Sequence, residues 1–265
     1  MKPSKVRVFA PEILPLSLCD YLGEPACLIF FSGCNYDCGY CQNWRLKARS
    51  KEHLVDIDKI KESIRKNRLI TACKVTGGEP LLQLEALSEL GKFVKSLGLK
   101  FGIDTNGSLP DSLKVLIPTL DLVSIDIKTA LNEGGYRKIT GVGKPCVDAV
   151  RRSLEIVMSS NAYADVRMVV IPGYNDSKEV VLSVAGSLRP LGYEEKARRG
   201  MASLTLVEFV PENAKPEEFR RLKNPSAEDL RSLALASGLP NVRITHRTAG
   251  FYKEVGGEPK KKKEG

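Results

Sequence analysis

Three cysteines in one short stretch are the residues best suited to do chemistry. Cys34, Cys38 and Cys41 have the spacing C-x3-C-x2-C and follow an apolar run that predicts a buried strand over residues 26–32. Three thiolates from one loop suit an iron–sulfur cluster that needs four ligands and leaves one iron open. A structural zinc site would need a fourth protein ligand, and His53 is the only nearby candidate. The spacing therefore favours a cluster with one open coordination position.

The elements that position this loop alternate between strands and helices. Apolar runs predict strands, and apolar residues three or four apart predict helices. After the strand at 26–32, strands are predicted over residues 70–76, 100–104, 121–127, 164–171 and 203–210, with a short terminal strand over 242–245. Helices are predicted over residues 56–67, 83–97, 111–117, 146–159 and 177–188, and a last helix begins at Ser226, its expected N-cap.

Six strands that alternate with six helices predict an α/β fold with a parallel sheet. Glycine and polar motifs recur just after the strands, where barrels place their chemistry. We therefore expect an incomplete (β/α)6 barrel, with a doubly wound sheet as the alternative. Residues 1–25 should form an irregular lead-in or a short edge strand. One domain is expected over residues 1–255, and a disordered, lysine-rich tail over residues 256–265.

The composition is that of a globular protein, with 42% hydrophobic and 28% charged residues. No apolar run approaches the roughly 20 residues that span a bilayer, and the N-terminus lacks the pattern of a secretory signal. An odd count of seven cysteines indicates metal binding or catalysis in a reducing compartment rather than disulfides. We therefore expect a cytoplasmic protein with no membrane partner. Four cysteines without ligand spacing are expected to be buried hydrophobic residues: Cys19, Cys27, Cys73 and Cys146.

The net charge of +9 indicates an acidic partner, such as a nucleic acid or an acidic protein. Part of the excess lies in the lysine-rich tail, and no motif of interleaved aromatic and basic residues supports nucleic-acid binding. The charge equally suits the docking of an acidic electron carrier.

A glycine motif after the second predicted strand points to a family. The stretch Gly77-Gly78-Glu79-Pro80, with the cysteine loop and the aromatic Tyr40 before its third cysteine, resembles the radical S-adenosylmethionine (SAM) enzymes. The resemblance implies that the three cysteines bind three irons of a [4Fe–4S] cluster and that SAM chelates the fourth. It also implies reductive cleavage of SAM to a 5′-deoxyadenosyl radical, with residues 77–80 at the SAM amino group and Tyr40 against the adenine. Glycines at 77 and 78 would let the backbone approach the methionine moiety closely.

Polar residues at later strand ends narrow the resemblance. Asp104, Asn106, Asp126, Lys128 and Arg167 lie in stretches similar to those of the activases of glycyl-radical enzymes, such as pyruvate formate-lyase activating enzyme and the anaerobic ribonucleotide reductase activating proteins. The resemblance implies that these side chains face the SAM pocket. It also implies a monomer that takes a hydrogen atom from a glycine of a partner glycyl-radical enzyme, with electrons from flavodoxin or ferredoxin. The alternatives are a structural ion pair between Asp126 and Lys128, and an internal acid as the partner of Arg167.

The sequence departs from these activases after the sixth predicted strand. The relatives carry a histidine near the adenine there, whereas residues 209–214 contain none, and His246 comes too late in the sequence to match it. A partner's glycine loop would enter the barrel mouth between mobile loops at residues 134–143 and 211–223. The substrate stays open, with a small molecule, a nucleobase or RNA, or a peptide as the alternative. The non-enzyme alternative is a metal-stabilised nucleic-acid-binding protein.

Overall fold

The structure of the protein is a computed structural model that describes residues 4–255, so the predicted tail over residues 256–265 lies outside the described residues. The strands are β1 (Arg7–Phe9), β2 (Glu12–Ser17), β3 (Ala26–Phe31), β4 (Leu54–Asp56), β5 (Ala72–Gly77), β6 (Lys100–Thr105), β7 (Leu122–Asp126), β8 (Tyr163–Val170), β9 (Ala202–Glu208), β10 (Val242–His246) and β11 (Gly250–Val255). The α-helices are α1 (Ile57–Lys66), α2 (Leu84–Ser96), α3 (Pro110–Leu116), α4 (Glu133–Thr140), α5 (Val147–Ser159), α6 (Lys178–Leu188), α7 (Tyr193–Arg198), α8 (Glu217–Arg220) and α9 (Ala227–Ala236).

One sheet dominates the described chain, in the order β11-β10-β9-β8-β7-β6-β5-β3-β2. Strands β3 and β5 to β10 run parallel, while β2 and β11 pair antiparallel at the two edges. Strands β1 and β4 form a separate antiparallel pair. The parallel strands follow one another in chain order without a reversal, so this sheet has no topological switch point. The doubly wound alternative is therefore wrong.

The sheet curls around an inner face. Tyr21, from the loop before β3, is buried in one cluster with Ala26 of β3, Ala72 of β5 and Leu122 of β7, and Tyr163 of β8 packs against this cluster. In a flat sheet β3 and β8 would lie roughly 19 Å apart, at about 4.8 Å per strand step. Within residues 4–255 no strand pairing joins the β2 edge to the β11 edge. The incomplete barrel is confirmed, and β10 adds a seventh parallel strand to the six predicted.

The main core lies between the outer face of the sheet and the helices. In α5, Val150, Leu154 and Val157 are buried at helical spacing and join this core. In β5, Cys73 and Val75 join it as well. Because side chains alternate along a strand, the residues between them face the inside of the barrel. The inside is therefore the face on which functional side chains can meet.

One predicted loop is a helix. Helix α4 takes up most of the glycine-rich residues 134–143, because its ends are capped and its inner face is apolar. The Asn132 side chain accepts a hydrogen bond from the Gly135 N–H at 2.8 Å, and Gly141, with φ of 67°, ends the helix. Tyr136 and Ile139 are buried one turn apart. The loop prediction was wrong because it gave the glycines too much weight.

Smaller differences lie near the C-terminal half. Residues 192–201, which lie between two predicted elements, contain α7, and β11 was not predicted. Residues 211–223 contain a short 3₁₀ turn (Pro211–Asn213) and α8. Two predictions are confirmed: β2 is a short edge strand, and Ser226 forms a capping box with Asp229.

The described helices are short. The longest α-helices have 13 residues, which is about 20 Å at 1.5 Å per residue. No helix in residues 4–255 is long and apolar enough to cross a membrane.

Candidate active site

The cysteine loop follows β3 at the carboxyl edge of the parallel strands. Backbone hydrogen bonds hold the start of the loop: the Gly33 N–H donates to Leu46 O (2.7 Å), and the Cys34 N–H donates to Lys47 O (3.0 Å). All three cysteines of the motif are free thiols, and each is partly exposed. The three predicted iron ligands therefore lie on one loop that is tied at its base.

The donor chemistry of this loop fits an iron–sulfur cluster. Burial raises the pKa of the Cys34 and Cys41 thiols, and it raises the pKa of Cys38 to about 12. Bound iron would supply the positive charge that stabilises the thiolates. Within residues 4–255 no three His, Cys, Asp or Glu side chains converge on one metal position, as expected where each cysteine binds a different iron. His53 Nδ1 contacts Ser32 Oγ at 3.3 Å, and among the described residues His53 belongs to no group of three side chains that could hold a metal ion.

The glycine turn after β5 is joined to the end of β3 by close backbone contacts. The Gly78 N–H donates to Phe31 O, and the Glu79 N–H donates to Gly33 O, both at 2.8 Å. A Cβ on Gly77 would lie 2.2 Å from Phe31 O, and a Cβ on Gly78 would lie 2.2 Å from Gly33 O. The chain's own backbone therefore requires glycine at both positions. Their predicted approach to the methionine end of SAM stays a prediction.

Glu79 is a fully buried carboxylate that ties the end of β5 to the end of β6. Its Oε1 accepts from Thr105 Oγ1 (2.9 Å) and the Leu81 N–H (3.1 Å), and its Oε2 accepts from the Asn106 N–H (2.7 Å). Burial raises the pKa of Glu79 to about 7, while these hydrogen bonds act in the opposite direction. Pro80, also buried, begins the helical turn that follows. Glu79 thus holds two strand ends in register.

Asn106 extends this connection to the cysteine loop. Its Nδ2 donates to Asn35 Oδ1 at 2.9 Å and lies 4.0 Å from Cys34 Sγ. Asn35 in turn donates from Nδ2 to Ser108 Oγ at 2.7 Å. The structure therefore brings Asn106 beside the first cysteine, and its predicted place in the SAM pocket stays a prediction.

Asp126, the last residue of β7, and Lys128 form a charged pair beside the cysteine loop. Lys128 Nζ lies 2.6 Å from Asp126 Oδ2 and 5.5 Å from the centre of the Tyr40 ring. Burial alone would lower the pKa of Lys128, but Asp126, Tyr40 and Cys38 together raise it. The lysine is therefore charged, and the predicted ion pair is present next to the cysteine loop.

Asp104 and Arg167 meet inside the barrel with two charged residues that the sequence analysis missed, Lys74 and Asp165. Asp104 Oδ1 lies 2.6 Å from Lys74 Nζ and 3.5 Å from Arg167 Nη1. Arg167 Nε donates to Asp165 Oδ2 at 2.5 Å, so the alternative of an internal acid partner is realised. Burial lowers the pKa of Lys74. Against burial, the charges of Lys74 and Arg167 lower the pKa of Asp104.

Both segments predicted as mobile loops are packed against the cysteine loop. The ring of Phe219, in α8, lies so close to Gly39 that a Cβ there would be 2.3 Å from it. The same ring stacks on Tyr174 with centroids 5.0 Å apart. From the other side, the Asp37 N–H donates to Thr140 O at the end of α4, at 2.8 Å. The cysteine loop is therefore held by Phe219 of α8 on one side and by the end of α4 on another, in addition to the backbone hydrogen bonds at its base.

His246 lies closer to the sixth parallel strand than its sequence position indicates. Its Nε2 is 3.7 Å from Oε1 of Glu208, the last residue of β9. Glu208 also accepts hydrogen bonds from Arg247 Nε (2.8 Å) and Asn224 Nδ2 (2.9 Å). Strand β10 pairs with β9, and this pairing returns a late histidine to the end of the earlier strand.

Two cavities of about 390 Å³ lie away from these residues. One is at the start of α5, beside Lys144 and Cys146, and the other is at the end of α5, beside Lys196. Cys146 is exposed, so its prediction as a buried residue was wrong, whereas Cys27 and Cys73 are buried as predicted.

A three-cysteine loop and a glycine turn at the carboxyl edge of an incomplete α/β barrel define a class of cluster-dependent enzymes. A family model for the radical SAM superfamily matches residues 28–184, and the chain therefore belongs to this superfamily. Membership confirms the predicted cofactors, a [4Fe–4S] cluster and SAM.

Similar proteins narrow the comparison. A Methanocaldococcus jannaschii protein, provisionally named a glycyl-radical enzyme activating enzyme, is 26% identical over 237 residues, covering 86% of this chain and 91% of the relative. The pyruvate formate-lyase-activating enzyme of Clostridium pasteurianum is 32% identical over 176 residues, covering 64% of this chain and 71% of the relative. Among solved structures, a radical SAM methyltransferase from Sphaerobacter thermophilus has a TM-score of 0.64 at 17% identity, over 88% of this chain and 70% of that one. This last likeness concerns the fold alone.

Proposed function

We propose that this radical SAM enzyme is an activase, which takes a hydrogen atom from one glycine Cα of a partner glycyl-radical enzyme. The observation that carries the proposal is the joining of the cysteine loop to the glycine turn. The Glu79 N–H donates to Gly33 O, next to Cys34, at 2.8 Å. The residues proposed to hold the cluster and those proposed to receive the amino acid end of SAM are thereby held side by side. The two activating enzymes among the relatives support the choice of substrate.

Cys34, Cys38 and Cys41 would hold the cluster. Once reduced by an external electron donor, the cluster together with SAM would supply one-electron reductive cleavage of SAM to methionine and a 5′-deoxyadenosyl radical, and the hydrogen atom of the partner's glycine would end on 5′-deoxyadenosine. The protein's part is to orient the two cofactors and to exclude water and oxygen.

The polar residues around the loop would bind SAM by charge and hydrogen bonding. The Lys128 ammonium suits the SAM carboxylate, and Tyr40, beside it at 5.5 Å, suits the adenine face. Asp126 and Asp104 suit ribose hydroxyls or a cation, and Arg167 would face the same pocket. The turn Gly77-Gly78-Glu79-Pro80 would receive the SAM amino group, and Asn106 would border the first cysteine.

The partner's glycine has to reach a site that residues 211–223 now cover. Phe219 from this segment packs on Gly39 of the cysteine loop, so we expect the segment to move when the partner docks. The electron donor would be an acidic protein such as flavodoxin or ferredoxin, drawn to a chain with a net charge of +9. We propose that the reaction takes place in the cytoplasm, because the cluster needs cysteine thiols that stay reduced. We also propose that the chain acts as a monomer.

The test is transfer of a hydrogen isotope. The chain is reconstituted anaerobically with iron and sulfide and mixed with SAM, dithionite and each purified glycyl-radical enzyme of the genome that encodes it. We expect a glycyl radical by electron paramagnetic resonance, in proportion to the 5′-deoxyadenosine formed. With an α-deuterated-glycine partner, mass spectrometry should find deuterium in the 5′-deoxyadenosine.

The matched control is the same partner with alanine at its radical-bearing glycine, which should give neither signal. Formation of 5′-deoxyadenosine with no radical and no deuterium transfer from any partner would contradict the activase. It would point instead to a small-molecule, nucleic-acid or peptide substrate.

A further inference from the structure

Lys74 is a lysine buried completely inside the barrel. Its ammonium has three donors and three partners: Asp104 Oδ1 at 2.6 Å, Asp20 O at 2.8 Å and Ser124 Oγ at 3.0 Å. Asp20 belongs to the loop that closes the bottom of the barrel, one residue before Tyr21. A charge in such a place persists only when it is paired and fully hydrogen-bonded. Lys74 therefore links the bottom of the barrel to Asp104.

Asp165 plays the same part for Arg167 that Lys74 plays for Asp104. It is 1% exposed, and its Oδ1 accepts from Thr205 Oγ1 (2.6 Å) and Ser203 Oγ (3.2 Å). Its Oδ2 accepts from Arg167 Nε at 2.5 Å and lies 3.4 Å from Ser124 Oγ. Both Asp165 oxygens are thus engaged, and one of them fixes the guanidinium of Arg167.

The two buried residues each hold one residue that a ligand can reach. The side chains of Asp104 and Arg167 are 29% and 18% exposed, and they lie 3.5 Å apart. A ligand in the barrel mouth therefore meets these two, while Lys74 and Asp165 lie behind them. Without Lys74, Arg167 is the nearest cation to Asp104, so the carboxylate would turn toward Arg167 and both groups would leave the orientation that the structure shows.

We propose that Lys74 and Asp165 are positioning residues, which hold Asp104 and Arg167 in the orientation that binds the polar groups of SAM. The inference rests on the proposed function and adds two residues to the site. It assigns Lys74 a role that acts only through Asp104. A purely structural lysine would instead stabilise the fold without changing the affinity for SAM.

The test compares SAM affinity, iron content and stability in a set of variants. Equilibrium dialysis of reconstituted protein without reductant gives the dissociation constant for SAM, and denaturation of the apoprotein gives stability. We expect Lys74→Met to weaken SAM binding about tenfold, because a charge-assisted contact no longer orients Asp104. Lys74→Gln should retain part of the affinity, because its amide still donates. Asp165→Asn should weaken binding through Arg167 in the same way.

A double-mutant cycle separates positioning from stability. If Lys74 acts through Asp104, Lys74→Met adds less than about twofold to the loss already caused by Asp104→Asn. The matched control is Lys196→Met, since Lys196 is also buried and donates to the carbonyls of Val157, Met158 and Ser160. This control should lose stability and keep its affinity for SAM.

The failures can be told apart. If wild-type protein with a full cluster binds no SAM, the proposed function is wrong and this inference falls with it. If Asp104→Asn binds SAM as wild type does, the assignment of Asp104 to the pocket is wrong. If Asp104→Asn weakens binding but Lys74→Met and Lys74→Gln do not, the proposed role of Lys74 is overturned while the proposed function stands.

Discussion

Gly78 is the position where one added methyl group should do most harm to the site. An alanine Cβ would lie 2.2 Å from Gly33 O and 2.7 Å from the carbonyl carbon of the same residue. Relief to an ordinary contact needs a shift of about 1 Å in a backbone that carries two 2.8 Å hydrogen bonds, from Gly78 and Glu79. Losing both costs about 2 kcal/mol, and overpacking adds about 1 to 3 kcal/mol. We therefore expect Gly78→Ala to lower the free energy of unfolding by about 3 to 5 kcal/mol.

The same shift moves Cys34, which follows Gly33 directly, so cluster loading should fall as well. Urea denaturation of the apoprotein under anaerobic conditions gives the stability, and iron and sulfide analysis after reconstitution gives the loading. The control is Gly186→Ala in α6, where a Cβ would meet nothing within 4 Å and should stabilise the helix by about 0.5 to 1 kcal/mol. A Gly78→Ala protein with wild-type stability and a full cluster would refute this account of the turn.

Three further predictions follow from the contacts around the loop. Burial raises the pKa of Glu79 to about 7, well above the ordinary value for a glutamate, so wild-type stability should fall as the pH rises from the ordinary pKa to the raised one. Glu79→Gln should gain at most about 3 kcal/mol relative to wild type between pH 5 and pH 8, and parallel urea profiles would contradict this. Phe219→Ala should cost about 3 to 5 kcal/mol and open the cysteine loop, seen as faster bleaching of the cluster in air, whereas bleaching at the wild-type rate would speak against a protective role. Asn132→Ala should cost about 1 kcal/mol by uncapping α4, with Asn132→Asp as the control that keeps a cap; no difference between the two would count against the cap.

The sheet was predictable because its strands carry strong local signals. Each parallel strand from β3 to β9 is a short apolar run that ends at a glycine, proline or charged residue, and the predicted ends lie within two residues of those observed. The barrel followed from the alternation with helices. The seventh parallel strand, β10, was predicted from the sequence. Its antiparallel partner β11 at the edge of the sheet was not predicted, because such a strand has no helix beside it in the sequence.

The site residues predicted from the sequence lie mostly at strand ends, with Arg167 inside β8 as the exception, and other charged residues along the strands were missed. Lys74 and Asp165 sit between core-facing neighbours, and the two-residue period alone tells that they face inward. The signal that could have identified Lys74 was the presence of a lysine in the middle of a predicted buried strand. No local sequence pattern predicts that Phe219 packs on Gly39 or that His246 lies at the end of β9. Both contacts depend on how the whole chain folds.

The most direct test of the central claim is formation of 5′-deoxyadenosine by the reconstituted chain with SAM and dithionite. Wild type should produce it, and Cys38→Ala should not, because the cluster loses one of its three ligands. The control is Cys146→Ala, which removes an exposed cysteine outside the motif and should match wild type. If Cys38→Ala produces 5′-deoxyadenosine at the wild-type rate, the cysteine loop does not hold the cluster and the account is wrong.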